Sequence, residues 1–125
     1  MAGKKVLIVD DEKELLKALH IRLTSWGYDV LTADSGEEAI SLIEKEAPDV
    51  LILDIMMPVM NGIETLKRIR SFNQKIPVLM MTAYSKEAII KDLDELGISG
   101  FISKGSDFGC TSEIIKTILK GAKSK

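Results

Sequence analysis

Short apolar runs alternate with segments of helical periodicity along the whole chain. An apolar run of about four to eight residues, bounded by turn-forming residues, has the length of a buried strand. Five segments have this character, and we predict that they form strands: Val6–Val9, Tyr28–Ala33, Val50–Leu53, Val78–Thr82 and Gly100–Ser103. The third segment is apolar at every position, which predicts a strand covered on both faces.

Between these runs, apolar residues recur every three or four positions, which is the spacing of one helix face. Gly27 ends the first helical segment. Ser35 and Glu38 have the spacing of a capping box and start the second, which Pro48 follows. The predicted helices carry the apolar residues Leu15 to Trp26, Ala39 to Ile43 and Ile63 to Ile69, and two later helices cover about Lys86–Leu96 and Thr111–Lys120.

Five strand–helix units in succession predict an α/β protein with a parallel sheet and helices on both faces. We expect a flavodoxin-like, doubly wound sheet of five strands in the order 2-1-3-4-5, with five helices. The length of 125 residues fits one domain, so we expect residues 1–125 to form a single domain.

Composition narrows the class of protein further. The formal net charge is −2, so the chain has no basic excess that would favour direct binding to nucleic acid. Its one cysteine, Cys110, cannot form an intramolecular disulfide, which fits a reducing compartment. The first apolar run, Val6–Val9, is too short for a signal peptide or a membrane span. We therefore expect a cytoplasmic protein without a membrane partner.

Polar residues with chemical potential lie where the predicted strands end. Asp10 and Asp11 follow the first strand, Asp54 the third, Thr82 ends the fourth, and Lys104 follows the fifth. In a doubly wound sheet, ligands bind beyond the carboxyl ends of the strands, at the point where the strand order reverses. For the predicted order, that point lies between the first and third strands, where the carboxylates would converge.

Three carboxylates at one place repel one another unless a cation lies among them. Ligand sets made only of oxygen suit hard cations, and Mg²⁺ in particular prefers few protein ligands together with phosphate oxygens. A carboxylate is also a competent nucleophile for forming an aspartyl-phosphate. Phosphoryl transfer depends mainly on positioning and charge neutralisation, to which Lys104 and Thr82 could contribute.

Four motifs in order resemble those of the response-regulator receiver family, of which the stand-alone chemotaxis receiver is the simplest member. They are Val-Asp-Asp-Glu at 9–12, Leu-Asp-Ile-Met-Met-Pro-Val-Met-Asn-Gly at 53–62, Met-Thr-Ala at 81–83 and Phe-Ile-Ser-Lys at 101–104. The resemblance extends from about Lys4 to Lys120. It implies that this stretch is the core of one receiver domain.

The resemblance also implies roles for individual residues. Asp54 would accept a phosphoryl group from the phosphohistidine of a histidine kinase or a histidine phosphotransfer protein. Mg²⁺ would be bound by Asp10, Asp11, Asp54 and the backbone carbonyl of Met56, with Asp10 acting through water. The chain would not be an enzyme with an external substrate, since only its own phosphorylation and dephosphorylation are expected.

The same resemblance implies a switch. Lys104 would contact the phosphoryl oxygens, Thr82 would move toward them, and Phe101 would turn inward in response. This change would reach the surface formed by the fourth helix, the fifth strand and the fifth helix. The recipient of that signal would be a downstream protein or an output domain beyond Lys125.

Two features are particular to this chain. Gly105 follows Lys104 where the family usually has proline, which predicts a reshaped loop because glycine does not restrict φ. Met56 and Tyr84 lie two residues after Asp54 and Thr82. We hypothesise that their bulk limits the access of water and slows the loss of the phosphoryl group.

Other function classes fit the residues less well. A haloacid-dehalogenase-type phosphatase also uses an aspartyl nucleophile and Mg²⁺, but its second aspartate would stand where this chain has Met56. A nucleotide-binding domain would need a glycine-rich phosphate loop after a strand, and the sequence contains none. An interaction domain that works without phosphorylation stays open as a third alternative.

Overall fold

The computed structural model describes residues 4–55, 61–82, 97–98 and 100–103. The strands are β1 (Lys5–Val9), β2 (Asp29–Ala33), β3 (Val50–Asp54), β4 (Val78–Thr82) and β5 (Gly100–Ser103). The helices within these residues are α1 (Lys13–Ser25), α2 (Gly36–Glu46) and α3 (Gly62–Phe72). The helices predicted at 86–96 and 111–120 lie outside the described residues. Among the described helices, none combines the length and the hydrophobicity needed to cross a bilayer.

The strands form one parallel sheet in the order β2-β1-β3-β4-β5. The predicted α/β class with a parallel sheet is therefore confirmed, and the strand order is the predicted one. Leu7 of β1 pairs with Leu31 of β2 and with Leu51 of β3, and Leu51 pairs in turn with Val78 of β4. Because all strands are parallel, their carboxyl ends lie along the same edge of the sheet.

The core lies on both faces of this sheet. Val6 and Ile8 pack on one face with the buried side of α1, whereas Leu7 and Val9 pack on the other face with α2 and α3. Neighbouring residues of a strand point to opposite faces. Strands β1 and β3 consequently have no polar face, which is the physical reason for their uninterrupted apolar sequences.

Local signals set the helix ends as predicted. The Ser35 side chain accepts a hydrogen bond from the Glu38 backbone N–H (3.2 Å), and Glu38 Oε1 accepts one from the Asp34 backbone N–H (2.9 Å). This reciprocal pair starts α2. At the end of α1, Gly27 has a φ of +93°, a conformation that costs glycine little because it has no Cβ.

Pro48 predicted that α2 ends before it, as the structure has it, but the left-handed cap of the helix was not predicted from the sequence. Ala47 has a φ of 46° and a left-handed conformation, with its N–H donating to Ile43 O (3.1 Å). A left-handed conformation costs an L-residue with a Cβ roughly 1–2 kcal/mol. The cap is formed nevertheless, since Pro48 prevents the helix from continuing.

Replacing Ala47 with glycine should therefore stabilise the protein. We expect Ala47→Gly to raise the free energy of unfolding by about 0.5–1 kcal/mol, because glycine adopts this conformation without the Cβ penalty. Urea unfolding followed by circular dichroism measures the change. Ala39→Gly, in the buried middle of the same helix, serves as the opposite control and should destabilise the protein.

Candidate functional site

Three carboxylates converge at the carboxyl edge of the sheet. Val9 of β1 pairs with Leu53 of β3, so the next residues, Asp10 and Asp54, lie side by side where these strands end. One carboxylate oxygen each from Asp10, Asp11 and Asp54 lies within 4.8 Å of the other two. The sequence predicted that these carboxylates converge between the first and third strands, and in the structure they do.

The cluster is buried on one side and open on the other. Asp10 and Asp54 have exposed fractions of 0% and 1%, whereas Asp11 is exposed. Two hydrogen bonds to backbone groups hold Asp10 in place. Its N–H donates to Ala33 O (3.1 Å), and its side-chain Oδ1 accepts from the Glu12 N–H (2.9 Å). Charges buried in this way are costly unless they are compensated. The opening at Asp11 is where a compensating cation and its waters would enter.

The donor set fits a hard divalent cation. All three groups offer carboxylate oxygens, which Mg²⁺ and Ca²⁺ prefer over the nitrogen and sulfur ligands typical of zinc. Three protein oxygens leave part of an octahedral shell for waters or phosphoryl oxygens. The chemistry of these residues is therefore compatible with Mg²⁺.

Gly62, the first residue of α3, is a site residue that the sequence analysis missed. It is buried against the backbone of Asp54, and a Cβ placed on it would overlap Asp54 O and lie 2.8 Å from Ile55 Cα. Its N–H also donates to Ile55 O (2.8 Å). The sequence analysis used Asn61-Gly62 only as the end of a family motif before a helix, and nothing local indicates a contact with Asp54.

Arg70 connects the end of α3 to the segment that leads into β5. Its Nη2 donates to Gly97 O (3.1 Å) and its Nη1 to Asn73 O (3.3 Å). Burial lowers the pKa of the Arg70 guanidinium, but the ordinary value is so high that the group stays charged near neutral pH.

The remaining predicted site residues are described only in part. The backbone of Thr82 ends β4 and pairs with Ser103, and the backbone of Phe101 pairs with Met80. Lys104, Met56 and also Tyr84 lie outside the described residues. The predicted roles of Thr82, Phe101, Lys104 and Met56 therefore stay predictions.

A groove with a volume of about 440 Å³ lies between α1 and the end of β2. Leu16 and Ala33 line it, and Ile21, 70% exposed, stands at its rim. One lining residue is linked to the carboxylate cluster, because Ala33 O accepts the hydrogen bond from Asp10 N. Its other lining residues are polar: Lys13, Lys17, His20, Thr32, Asp34 and Glu38.

Comparison with known proteins agrees with this site. The profile of the response regulator receiver domain matches residues 6–117. The chain belongs to this family. It is a receiver domain of the two-component response regulator type, and receiver domains are signalling domains. Membership decides against the haloacid-dehalogenase and nucleotide-binding alternatives.

The relatives differ in length. The chain is 40% identical over 119 residues to the alkaline phosphatase synthesis transcriptional regulatory protein PhoP of Bacillus subtilis, covering 94% of this chain and 49% of PhoP. It is 34% identical over 119 residues to sporulation initiation phosphotransferase F of the same organism, covering 95% and 96%. The chain thus spans about half of the first relative and nearly all of the second.

Solved structures of receivers have the same fold. The chemotaxis protein CheY4 of Vibrio cholerae matches with a TM-score of 0.88 at 31% identity, over 94% of this chain and 99% of that one. CheY in the CheX-CheY-BeF3-Mg complex of Borrelia burgdorferi matches with a TM-score of 0.87 at 34% identity, over 93% and 89%. These likenesses support the flavodoxin-like receiver fold.

Proposed function

We propose that this receiver is phosphorylated on Asp54 in a reaction that requires Mg²⁺. The observation that carries the proposal is the cluster of Asp10, Asp11 and Asp54 at the carboxyl edge of the sheet. Asp54 alone among them ends the central strand β3, where it pairs with Met81 of β4, and the preceding Leu53 pairs with Val9 of β1. The Borrelia relative, whose complex contains BeF3 and Mg²⁺, is consistent with this chemistry.

The donor in the proposed reaction is the phosphohistidine of a histidine kinase or of a histidine phosphotransfer protein. A carboxylate oxygen of Asp54 forms a bond to phosphorus while the bond between phosphorus and the histidine nitrogen breaks. The donor imidazole carries a proton on its other ring nitrogen, so the histidine leaves as neutral imidazole with the electron pair of the broken bond on the nitrogen that held phosphorus. Mg²⁺, when bound by Asp10, Asp11, Asp54 and the Met56 carbonyl, supplies neutralisation of the carboxylate and phosphoryl charges.

Residues of the chain itself perform the rest. Asp10 and Asp11 place the cation, and Lys104 contacts the phosphoryl oxygens from the side of β5. Thr82 and Phe101 carry the change to the surface of β5 and the two last helices, in the full five-helix form of the fold. The recipient is a downstream protein or an output domain of a longer regulator, and the chain acts in the cytoplasm without binding nucleic acid itself.

Intact mass after incubation with acetyl phosphate tests the proposal. With Mg²⁺ the protein should gain one phosphoryl group, and with EDTA in place of Mg²⁺ it should gain none. Hydroxylamine, which cleaves acyl phosphates, should remove the added mass. If the protein stays unmodified in every condition, the better interpretation is an interaction domain that works without phosphorylation.

The groove beside α1 is proposed as the docking site for the phosphohistidine donor protein. Its lining residue Ala33 accepts a hydrogen bond from Asp10 of the carboxylate cluster, and exposed Ile21 at its rim offers an apolar contact. A bound donor would thus approach Asp54 from the open side of the site. Small donors such as acetyl phosphate do not need this surface.

Ile21→Asp should therefore separate the two kinds of donor. We expect phosphorylation by a phosphohistidine donor protein that acts on the wild type to fall about tenfold or more, since loss of a hot-spot residue in an interface costs about 2 kcal/mol or more. Phosphorylation by acetyl phosphate should not change. Phe72→Asp is the matched control, because Phe72 is also exposed but lies at the far end of α3. Equal losses in both variants would contradict docking at the groove.

A further inference from the structure

We propose that Gly62 is a positioning residue for the reaction at Asp54. The absence of a side chain at Gly62 lets the first turn of α3 rest on the Asp54 backbone and holds the carboxylate in its place beside Asp10 and Asp11. This inference rests on the proposed phosphorylation of Asp54. It assigns to Gly62 an effect on the reaction rate, beyond its effect on folding.

The contact leaves no space for any other residue. A Cβ on Gly62 would overlap Asp54 O and would lie 2.8 Å from both Asp54 C and Ile55 Cα. Carbon atoms that are not bonded to each other are most stable about 3.5–4.0 Å apart. These neighbours are backbone atoms, which cannot rotate away as a flexible side chain can. A side chain at this position must therefore move either α3 or the end of β3.

The first turn of α3 is closed by its own hydrogen bonds, and the helix is held in place by its buried residues. Asn61 Oδ1 accepts from the Glu64 N–H (2.9 Å), and Asn61 O accepts from both the N–H (3.0 Å) and the Oγ1 (2.9 Å) of Thr65. Thr65 is fully buried, and so are Leu66 and Ile69 farther along the helix. Moving α3 outward would disturb the core beneath it.

The end of β3 is held by hydrogen bonds to β4, and it carries Asp54, the residue at which the proposed reaction takes place. Asp54 pairs with Met81 of β4, and the Ile55 N–H donates to Met81 O (3.0 Å). Gly62 lies against the backbone carbonyl of Asp54. The oxygen of this carbonyl is only two bonds from the Cα that carries the Asp54 side chain. A displacement of this peptide is passed directly to the carboxylate of Asp54.

Small displacements have large effects on group transfer. A misplacement of about 1 Å can lower a rate on the order of a hundredfold, because the reacting atoms must approach in line. We therefore expect Gly62→Ala to lower the rate of phosphorylation by acetyl phosphate at saturating Mg²⁺ by about tenfold or more. The rate is corrected for the folded fraction, which circular dichroism measures in the same buffer.

The matched controls are variants on the same helix that destabilise without touching Asp54. Ile69→Val and Ile69→Ala remove buried atoms two turns away, and they cover a range of stability losses into which Gly62→Ala is expected to fall. A purely structural role predicts that folded molecules of all three variants react at the same rate. A positioning role predicts that only Gly62→Ala is slow.

A second pair of variants keeps the test decisive if Gly62→Ala does not fold. Asn61→Ala removes the cap that anchors the first turn of α3, and Ser35→Ala removes the equivalent cap of α2. The two changes cost similar stability, about 1 kcal/mol each, and leave the core intact. The positioning role predicts a lower rate for Asn61→Ala than for Ser35→Ala.

The outcomes separate this inference from the proposed function. If the wild type itself is not phosphorylated, the proposed function fails. If the wild type is phosphorylated and folded Gly62→Ala reacts as fast as the Ile69 variants, only the positioning role is overturned. If Gly62→Ala does not fold, equal rates for Asn61→Ala and Ser35→Ala overturn it. Slow reaction confined to the variants at the start of α3 supports it.

Discussion

Asp54→Ala is expected to gain no phosphoryl group from acetyl phosphate under conditions in which the wild type is fully modified. The physical reason is that the proposed acyl phosphate needs a carboxylate oxygen as nucleophile, and Asp54 is the one that ends a central strand. Asp54 pairs with Met81 of β4, which fixes the position of its backbone at the end of β3. Loss of the nucleophile should lower the rate by a factor on the order of 10³ or more, which in an intact-mass experiment appears as complete absence of product.

The control for this prediction is another aspartate of the same sheet. Asp29 is exposed at the beginning of β2, on the edge opposite the cluster. Asp29→Ala should be modified like the wild type. Peptide mapping should place the phosphoryl group of the wild type on the fragment that contains Asp54. Modification of Asp54→Ala at another carboxylate, at the wild-type rate, would contradict the assignment of the nucleophile.

Asp10→Asn should raise stability without Mg²⁺ and should remove most of the stabilisation that Mg²⁺ provides. Two unit charges no more than 4.8 Å apart repel by roughly 3 kcal/mol or more at an effective dielectric constant of about 20. Because the cluster is open to water at Asp11, we expect a gain of about 1–2 kcal/mol in the free energy of unfolding. Asparagine keeps the oxygen that accepts the hydrogen bond from the Glu12 N–H, so the local backbone should not change.

The dependence on Mg²⁺ gives the second half of this prediction. A ligand that binds only the folded state stabilises it by about 2.7 kcal/mol at a concentration 100 times its dissociation constant. The unfolding midpoint of the wild type should therefore rise with Mg²⁺, and that of Asp10→Asn should rise only at concentrations about tenfold higher or more. Thermal unfolding with and without Mg²⁺ measures both effects. Asp29→Asn should respond to Mg²⁺ as the wild type does, and an Asp10→Asn variant that does so too would exclude Asp10 from the metal site.

The elements of this protein that could be predicted are those with strong local signals. The apolar runs of β1 and β3 can only be satisfied by a sheet covered on both faces, and the Ser35–Glu38 pair starts a helix through its own hydrogen bonds. The convergence of Asp10 and Asp54 followed from the same reasoning, because parallel strands end at a common edge. The helices predicted at 86–96 and 111–120 and the positions of Lys104 and Met56 stay predictions.

Other features depend on contacts between segments that are distant in the sequence. The groove beside α1 exists only because α1 packs across the end of β2.

The sequence by itself determined the α/β class, the order of its strands and helices, and the carboxylates that the sheet would bring together. Hydrophobic periodicity and helix caps are visible in short stretches of neighbouring residues, and the alternation of these stretches predicts the parallel topology. Only the tertiary structure decided that α3 rests on the backbone of Asp54 through Gly62. Such a contact joins two backbones at the place where a side chain is missing, and a missing side chain leaves no pattern in the sequence that distinguishes it from an ordinary loop glycine.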